Sequence, residues 1–197
     1  MPAEVLSTYV ALLRGINVGG NNLISMAALE DCFRALGHQD VSSYINTGNV
    51  IFRAGADPHH TQELGASIEE ALADRFPERI RTLVRDLDAM RALVEDIDSI
   101  WPDSTQDKRN VIFLAPEIDD EHVLDGLQPK PEIEEVRYLP GALLWSARKE
   151  YLTRSQMLKL SRLPIYQGMT VRSPGTTRHL YELMLLAETA GAGGEGG

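Results

Sequence analysis

The order of strand and helix patterns, which occurs twice along the chain, constrains the fold most strongly. Short apolar runs and segments with apolar residues at helical spacing follow each other as strand, helix, strand, strand, helix, strand. This order is that of the split βαβ, or ferredoxin-like, unit. Right-handed crossovers place its first strand in the middle of a four-stranded antiparallel sheet, with two helices on one face. The sequence therefore predicts an α+β fold of two tandem ferredoxin-like (βαββαβ, α-β plait) subdomains with antiparallel sheets.

The first half contains four predicted strands and two predicted helices. The strands are residues 8–13, 41–45, 50–53 and 80–85. Ser25 is the predicted N-cap of the first helix, which Gly37 ends, and His38 after it is expected at the surface. Thr61 is the predicted cap of the second helix, and Asp86 caps a connecting helix after the last strand.

The second half repeats the order of elements, although no strong residue-level repeat is evident between the halves. Its predicted strands are residues 110–115, 133–139, 142–147 and 169–172. Asp119 is predicted to cap a short helix, Thr153 and Gln156 form a capping box, and Thr176 or Thr177 caps the last helix. We expect a first subdomain at 1–85, a connecting helix and linker at 86–109, a second subdomain with the C-terminal helix at 110–190, and a flexible tail at 191–197.

Composition narrows the classes of function. A net charge of −10 and a pI near 4.9 disfavour bulk binding of duplex DNA, although they leave room for a local basic pocket. The single cysteine, Cys32, fits an intracellular setting and is expected to be a buried structural thiol. No apolar run approaches the roughly 18 residues of a membrane span, and the N-terminus lacks signal-peptide features. We predict a cytoplasmic protein without a membrane partner.

A loop of glycines and asparagines follows the first predicted strand directly. The apolar run 10–13 stops at Arg14, the loop extends to Asn22, and a helix begins near Ser25. In a split βαβ unit the turn at 46–49 lies at the same sheet edge, so the loop and the turn should meet. A guanidinium beside free backbone N–H groups suits a phosphate or carboxylate. The predicted ligand-binding residues here are Arg14, Asn17, Gly19, Gly20, Asn22, Thr47 and Asn49.

The same residue types also suit a purely structural loop. Asparagine and glycine are common in tight turns and at positive φ, so Asn17 and Asn22 could simply bond the backbone of the opposite turn. Arg14 could be held by Glu30, by Asp31 or by the carbonyl groups of the turn. The spacing of the glycines matches neither standard phosphate-binding motif. Both interpretations stay open from the sequence.

Arg172 repeats this pattern in the second half, because it ends a strand and precedes a turn and a helix start at Thr176. It is the eighth predicted ligand-binding residue, with an ordinary strand-to-helix turn as the alternative. The histidines near Asp57 lack a ligand set with recognised spacing, so we predict no metal site and no cofactor.

Three segments resemble a known bacterial family. The first is Leu12 to Asn22, which includes Leu-Leu-Arg-Gly-Ile-Asn-Val-Gly-Gly, and the second is Tyr44 to Phe52, Tyr-Ile-Asn-Thr-Gly-Asn-Val-Ile-Phe. Both are similar to signature segments of the domain-of-unknown-function family DUF1697, as is Thr170 to Thr176, where Ser173 and Gly175 stand in place of asparagines. The resemblance implies a two-subdomain ferredoxin-like fold and supplies no function.

The first functional hypothesis is an uncharacterised protein that binds an anionic small ligand, bearing phosphate or carboxylate, or a nucleic-acid end at the Arg14 loop. One alternative is a small-molecule enzyme with Arg14 as electrophilic stabiliser and Tyr44 or a water as acid or base, although no matched nucleophile and base is evident. Another is a protein-interaction module that uses sheet edges, with a structural Arg14 loop. Whether the protein is an enzyme, its catalytic residues and its oligomeric state stay open.

Overall fold

The computed structural model of the 197-residue chain describes residues 5–17, 23–55, 60–102 and 107–192. Backbone contacts divide the chain into two compact units. The first comprises the described residues up to Met90 and those from His179 onward, and the second is Arg91–Arg178. Each unit contains one four-stranded antiparallel sheet. No helix of the described part of the chain is both long and apolar enough to cross a membrane.

The sheet of the first unit has the predicted topology. Its strands are β1 (Leu6–Leu13), β2 (Gln39–Ser43), β3 (Asn49–Gly55) and β4 (Thr82–Asp86), in the spatial order β2-β3-β1-β4. The helices of this unit are α1 (Met26–Ala35) and α2 (Thr61–Arg75). The helix α3 (Leu87–Ile100) follows β4 directly and belongs to the second unit from Arg91 onward. β1 lies in the middle of the sheet and pairs antiparallel with β3 and β4. The first ferredoxin-like order is therefore confirmed.

One face of this sheet forms a single core with α1 and α2. Alternate residues of β1 face it, because the side-chain period of a strand is two. The helices contribute residues three or four apart, as their apolar spacing predicts. The buried members are Tyr9, Ala11 and Leu13 of β1, Val50, Phe52 and Ala54 of β3, Leu29, Cys32 and Phe33 of α1, and Leu64, Ile68 and Leu72 of α2.

Both ends of α1 have the predicted caps, but His38, the residue after Gly37, is half-buried. The Ser25 hydroxyl accepts from Ala28 N at 3.1 Å, and Gly37 has a φ of 85°. His38 N donates to Phe33 O at 3.2 Å, which closes a Schellman motif. The motif turns the His38 ring back onto the core, 4.6 Å from the Phe52 ring, and burial lowers the pKa of His38. The expectation of a surface histidine is wrong for this reason.

The second unit repeats the sheet but not the helices. Its strands are β5 (Asp107–Leu114), β6 (Glu134–Leu139), β7 (Ala142–Arg148) and β8 (Met169–Arg172), in the order β6-β7-β5-β8, and α4 (Pro174–Ala192) follows. The crossovers consist of 3₁₀ helices, not of the predicted α-helices. They are Pro116–Ile118 and Glu121–Gly126 between β5 and β6, and Lys149–Arg154, Gln156–Arg162 and Pro164–Gly168 between β7 and β8.

The helix caps predicted for these two crossovers are wrong. Polar groups of the predicted cap segments form hydrogen bonds with residues of the sheet instead. Asp119 accepts from Gly141 N at 2.8 Å and from the Tyr138 hydroxyl at 3.0 Å. Asp120 caps the next 3₁₀ helix instead, accepting from His122 N at 2.8 Å. In the second crossover Ser155, and not Thr153, is the cap. The backbone N–H of the next residue, Gln156, donates a hydrogen bond to a carboxylate 22 residues away in the sequence.

That carboxylate belongs to Glu134, the first residue of β6, which is only 5% exposed. It accepts from Lys130 N at 2.9 Å, from Gln156 N at 3.1 Å and from the Trp145 indole N–H at 3.2 Å. The Ser155 hydroxyl donates to it as well. Glu134 therefore ties the second crossover to the sheet through buried hydrogen bonds to a charged group, which are stronger than neutral ones.

The two sheets share one register, which the sequence does not reveal. In the first, residues 10–13 of β1 lie opposite Arg85, Val84, Leu83 and Thr82. In the second, residues 111–114 of β5 lie opposite Arg172, Val171, Thr170 and Met169. Val10 of β1 and Val111 of β5 are thus structurally equivalent. The same holds for each following pair of residues along these two strands. Each unit provides a residue-by-residue comparison for the other.

Candidate functional site

The loop after β1 and the turn between β2 and β3 meet at one edge of the first sheet. The Asn17 amide nitrogen donates to Asn46 O at 2.8 Å and to Ile24 O at 2.9 Å. The Asn17 amide oxygen accepts from Ile24 N at 2.8 Å. Asn17, with a φ of 53°, therefore joins the loop to the turn and to the residues that precede α1. These are structural contacts, of the kind that the sequence left open for this side chain.

The turn itself is held by Asn49 and Gly48. The buried Asn49 amide donates to Tyr44 O at 3.1 Å and to the Thr47 hydroxyl at 3.4 Å, and Tyr44 N donates to Asn49 O at 2.9 Å. Gly48 has a φ of 84° and packs so closely under Leu13 that no side chain fits there. Thr47 is half-buried on the same turn. The turn therefore has a fixed shape beside the end of β1.

Arg14 has a second arginine as its backbone neighbour. Arg14 N donates to Arg81 O at 2.9 Å, because β4 begins where the antiparallel β1 ends. Both side chains are half-buried. Arg81 was not among the predicted site residues, although the antiparallel pairing of the first and last strands could have indicated it. The structure thus adds a second guanidinium to this edge.

Arg79 and Arg81 both lie beside the Glu69 carboxylate, in a chain whose net charge is −10. Glu69 of α2 lies 3.6 Å from Arg81 Nε and 3.8 Å from Arg79 Nη2, and it accepts from Thr82 N at 2.9 Å. The two acidic residues suggested as partners of Arg14, Glu30 and Asp31, form ion pairs with Arg34 at 2.7 and 3.1 Å.

The surface beside Arg14 is open at Gly15. This residue is exposed with a φ of 70°, and no described atom lies within 4 Å of the position that a Cβ would occupy. Gly19, Gly20 and Asn22 lie outside the described residues, as do Asp57 and His59. No group of three or more metal-ligating side chains occurs in the described ranges.

The equivalent edge of the second unit has the same backbone framework with small apolar side chains. Ala115 N donates to Gly168 O at 2.8 Å, as Arg14 N does to Arg81 O. Leu114 N donates to Gly141 O at 2.9 Å, as Leu13 N does to Gly48 O at 2.8 Å. Ala115 and Gly168 therefore stand where Arg14 and Arg81 stand.

The strand pairing extends this comparison to the buried amide of the turn. Leu12 lies opposite Asn49, and its equivalent Phe113 lies opposite Ala142. The sheet edge forms in the second unit without either guanidinium and without the amide. These three polar residues are therefore specific to the first unit and are not a requirement of the topology.

Arg172 is the counterpart of Arg85, not of Arg14. It lies opposite Val111, and its Nη1 donates to Val171 O at 2.9 Å, as Arg85 Nη1 does to Val84 O at the same distance. Burial lowers the pKa of Arg172 to about 10, against an opposing effect of Tyr166, so the guanidinium stays protonated at neutral pH.

The residues that follow these two arginines are helix caps in both units. Asp86 accepts from Ala89 N at 2.7 Å, as predicted, and Ser173 accepts from Thr176 N at 3.0 Å. The predicted threonine cap of α4 is wrong, because Ser173 performs that role. Serine caps a helix as well as the asparagine that the family resemblance leads one to expect there. The strand-arginine-cap pattern is therefore a shared structural feature.

A second polar group belongs to the first unit and was not predicted. The Tyr44 ring lies 4.5 Å from the His179 ring, between centroids, and His179 Nδ1 lies 3.0 Å from a Glu182 carboxylate oxygen. His179 is 43% exposed on its side chain. The contact with Tyr44 joins residues far apart in the chain, so residue spacing does not indicate it, whereas Glu182 lies one helical turn from His179. The predicted structural thiol, Cys32, lies in the core of the first unit, where burial raises its pKa.

The family model described as protein of unknown function (DUF1697) matches residues 6–145. The chain belongs to this family. The fold is similar to that of the conserved bacterial protein SP0830 from Streptococcus pneumoniae, with a TM-score of 0.80 and 24% sequence identity, over 91% of this chain and 99% of that one. The neighbour fits the tandem ferredoxin-like fold, which is thereby confirmed. No curated protein is significantly similar in sequence.

The DUF1697 match spans the whole candidate edge of the first unit. It contains Arg14, the turn at 46–49 and Arg81, and it ends before Arg172 and His179. Family membership leaves the function uncharacterised, so the function must be argued from the geometry of that edge.

Proposed function

We propose that the edge of the first unit formed by Arg14, Arg81 and the turn at 46–49, here called the anion edge, binds a phosphate- or carboxylate-bearing small ligand or a nucleic-acid end. One observation carries this proposal: Ala115, Gly168 and Ala142 occupy the equivalent positions in the second unit, with the same backbone hydrogen bonds. Two half-buried arginines at one sheet edge, one of them beside Glu69, form a cationic site that favours an anionic ligand. Because the same sheet edge forms without these arginines in the second unit, we propose that they bind a ligand.

The proposed roles follow from the chemistry of each group. Arg14 and Arg81 offer planar, permanently charged forks that suit phosphate and carboxylate. Glu69 orients Arg81, and Asn17 fixes the loop against the turn. Gly19 and Gly20 are proposed to offer backbone N–H groups, with Asn22, Thr47 and Asn49 as orienting groups. Arg172 is not part of this proposal, because Arg85 makes the same contact in the first unit.

The setting that we propose is the bacterial cytoplasm. The single cysteine fits a reducing compartment, and the similar solved structure is that of a bacterial protein. The net charge of −10 disfavours extended duplex DNA as the partner, since such binders neutralise many phosphates. A terminal phosphate needs only a local cationic site.

Substitution of the two arginines tests the anion edge. We expect Arg14→Ala and Arg81→Ala each to weaken binding of pyrophosphate or a 5′-phosphorylated oligonucleotide by roughly ten- to a hundred-fold, because each removes a charged hydrogen-bond donor. Isothermal titration calorimetry measures the affinity, and citrate in place of pyrophosphate separates carboxylate from phosphate ligands. Arg34→Ala is the matched control, since it removes the same charge from exposed ion pairs on α1. Equal affinities in wild type and both arginine variants would refute the proposal.

A second candidate function is an enzyme of small molecules, favoured by the contact between Tyr44 and the His179–Glu182 pair. A carboxylate that orients an imidazole beside a phenol is an arrangement used in general acid–base catalysis. Tyr44 N donates a hydrogen bond to Asn49 O, so Tyr44 and the His179 ring against it adjoin the turn of the anion edge. Arg14 would then stabilise developing negative charge.

Turnover of phosphate esters distinguishes the enzyme from the binding protein. If the enzyme proposal holds, His179→Gln should lower kcat by roughly a hundred-fold while pyrophosphate affinity stays near that of wild type, because general acid–base groups contribute about that much. His122→Gln serves as a control, since that imidazole is exposed in the second unit. Absence of turnover across a panel of phosphate mono- and diesters, with binding intact, would eliminate the enzyme.

A further inference from the structure

The second unit contains a groove of about 280 Å³ on the sheet face that its 3₁₀ crossovers cover. The apolar walls include Ile112 of β5 together with Met157 and Leu158 of the crossover. Leu158 is 59% exposed, so this part of the apolar wall is open to solvent. Lys108 and Asn110 of β5 supply the polar end of the groove.

The first unit shows what fills the equivalent space. Because Val111 is equivalent to Val10, Asn110 is equivalent to Tyr9. Tyr9 lies opposite Phe52 and stacks on it, with ring centroids 5.7 Å apart, and it is buried in the core. Asn110 lies opposite Trp145, so the partner ring is present in the second unit while the tyrosine ring is replaced by a smaller amide.

The Asn110 amide contacts the sulfur of a methionine side chain. Its nitrogen lies 2.7 Å from the Met157 sulfur, which is a weak acceptor. Methionine adapts its shape readily and makes favourable contacts with aromatic rings. Tyr166 also lines the groove and offers a further ring. A flat apolar group can take the place over Asn110 where the first unit uses its own tyrosine when the adaptable Met157 side chain moves aside.

The charge of Lys108 indicates which polar group a ligand in this groove would carry. Lys108 and Asn110 share one face of β5, about 7 Å apart along the strand, because alternate residues of a strand point the same way. The Lys108 side chain is exposed at the mouth of the groove. A volume of about 280 Å³ lies near the lower end of ligand sites and holds a one-ring molecule.

We propose that this groove binds a small aromatic carboxylate, with the ring over Asn110 in the position equivalent to the Tyr9 ring and the carboxylate at Lys108. The site is separate from the anion edge, since all residues that line the groove belong to the second unit. It does not depend on the proposed function.

The probe for the experiment is 3-phenylpropanoate, compared with the neutral 3-phenylpropanol, on the full chain. We expect saturable binding of both to wild type in ligand-observed NMR, with the acid binding more tightly. Asn110→Tyr places a ring in the groove as in the first unit and should abolish binding of both probes. Lys108→Gln should weaken the acid roughly tenfold and leave the alcohol unchanged, because it removes only the charge.

Three controls keep the result interpretable. Asn110→Ala leaves the groove open and should retain binding, which separates filling of the groove from loss of the amide. Thermal unfolding of each variant verifies that it is folded. Arg34→Ala should bind both probes as wild type does, since it changes exposed ion pairs in the other unit. The proposal is overturned if neither probe binds wild type, if a folded Asn110→Tyr protein binds as wild type does, or if Lys108→Gln leaves the preference for the acid intact.

Discussion

Replacement of Glu134 by leucine should lower the free energy of unfolding by about 3–4 kcal/mol, with a fall in Tm of roughly 10 °C. The carboxylate is buried and accepts hydrogen bonds from two backbone N–H groups, an indole and a hydroxyl. Leucine fills the volume but leaves these donors without their acceptor, and each buried unsatisfied donor costs about 1–3 kcal/mol. Part of that cost is offset because the crossover can shift and let some of these donors form hydrogen bonds with water.

Urea denaturation monitored by tryptophan fluorescence measures this effect directly, because both tryptophans of the chain, Trp101 and Trp145, belong to the second unit. Glu134→Gln keeps one acceptor oxygen and should lose about half as much stability. Glu135→Gln is the matched control, since the neighbouring carboxylate forms an exposed ion pair with Arg137 at 2.6 Å and contributes under about 1 kcal/mol. If Glu134→Leu unfolds at the wild-type urea concentration, the carboxylate does not hold the crossover.

Replacement of Gly48 by alanine should destabilise the first unit by about 3 kcal/mol and disrupt the anion edge with it. The backbone φ of 84° disfavours any L-side chain. A Cβ would also lie 2.8 Å from Leu13 Cβ and 2.9 Å from Ile16 Cγ1, which are anchored in the core. The turn would have to move away from β1, so affinity for pyrophosphate should fall in a variant that is still folded at low temperature.

Far-UV circular dichroism during thermal unfolding is the measurement here, since the first unit has no tryptophan. Gly15→Ala isolates the contribution of the backbone, because φ there is 70° but no described atom lies near the new Cβ. It should cost only about 1–2 kcal/mol. Equal losses of stability in the two variants would mean that the close approach of the turn to Leu13 is unimportant.

The topology could be predicted because it depends on periodicity, and periodicity survives divergence of the individual side chains. A period of two along β1 and of three to four along α1 determined which faces are buried. The 3₁₀ crossovers could not be predicted in the same way. Their geometry depends on Asp119 and Glu134, whose hydrogen-bond partners lie up to 22 residues away in sequence.

The candidate site was predictable in part for the same reason. Strand order alone brings the Arg14 loop to the turn at 46–49, and the Asn17–Asn46 hydrogen bond joins them. Arg81 requires in addition the register of β4 against β1, and His179 requires the return of α4 to the first unit. Neither is a local property of the sequence. The equivalence of Arg172 with Arg85 likewise appears only once both registers are known.

The return of α4 to the first unit has a consequence for folding during synthesis. Thr8 of β1 donates a hydrogen bond to Glu188, and Tyr44 packs against His179, so residues from the beginning of the chain are completed by residues translated much later. The first sheet can form as soon as β4 has left the ribosome, but it must wait for α4 with part of its surface uncovered. Domains usually fold in the order of their synthesis. Here the unit whose strands are translated first is completed only by the last helix of the chain.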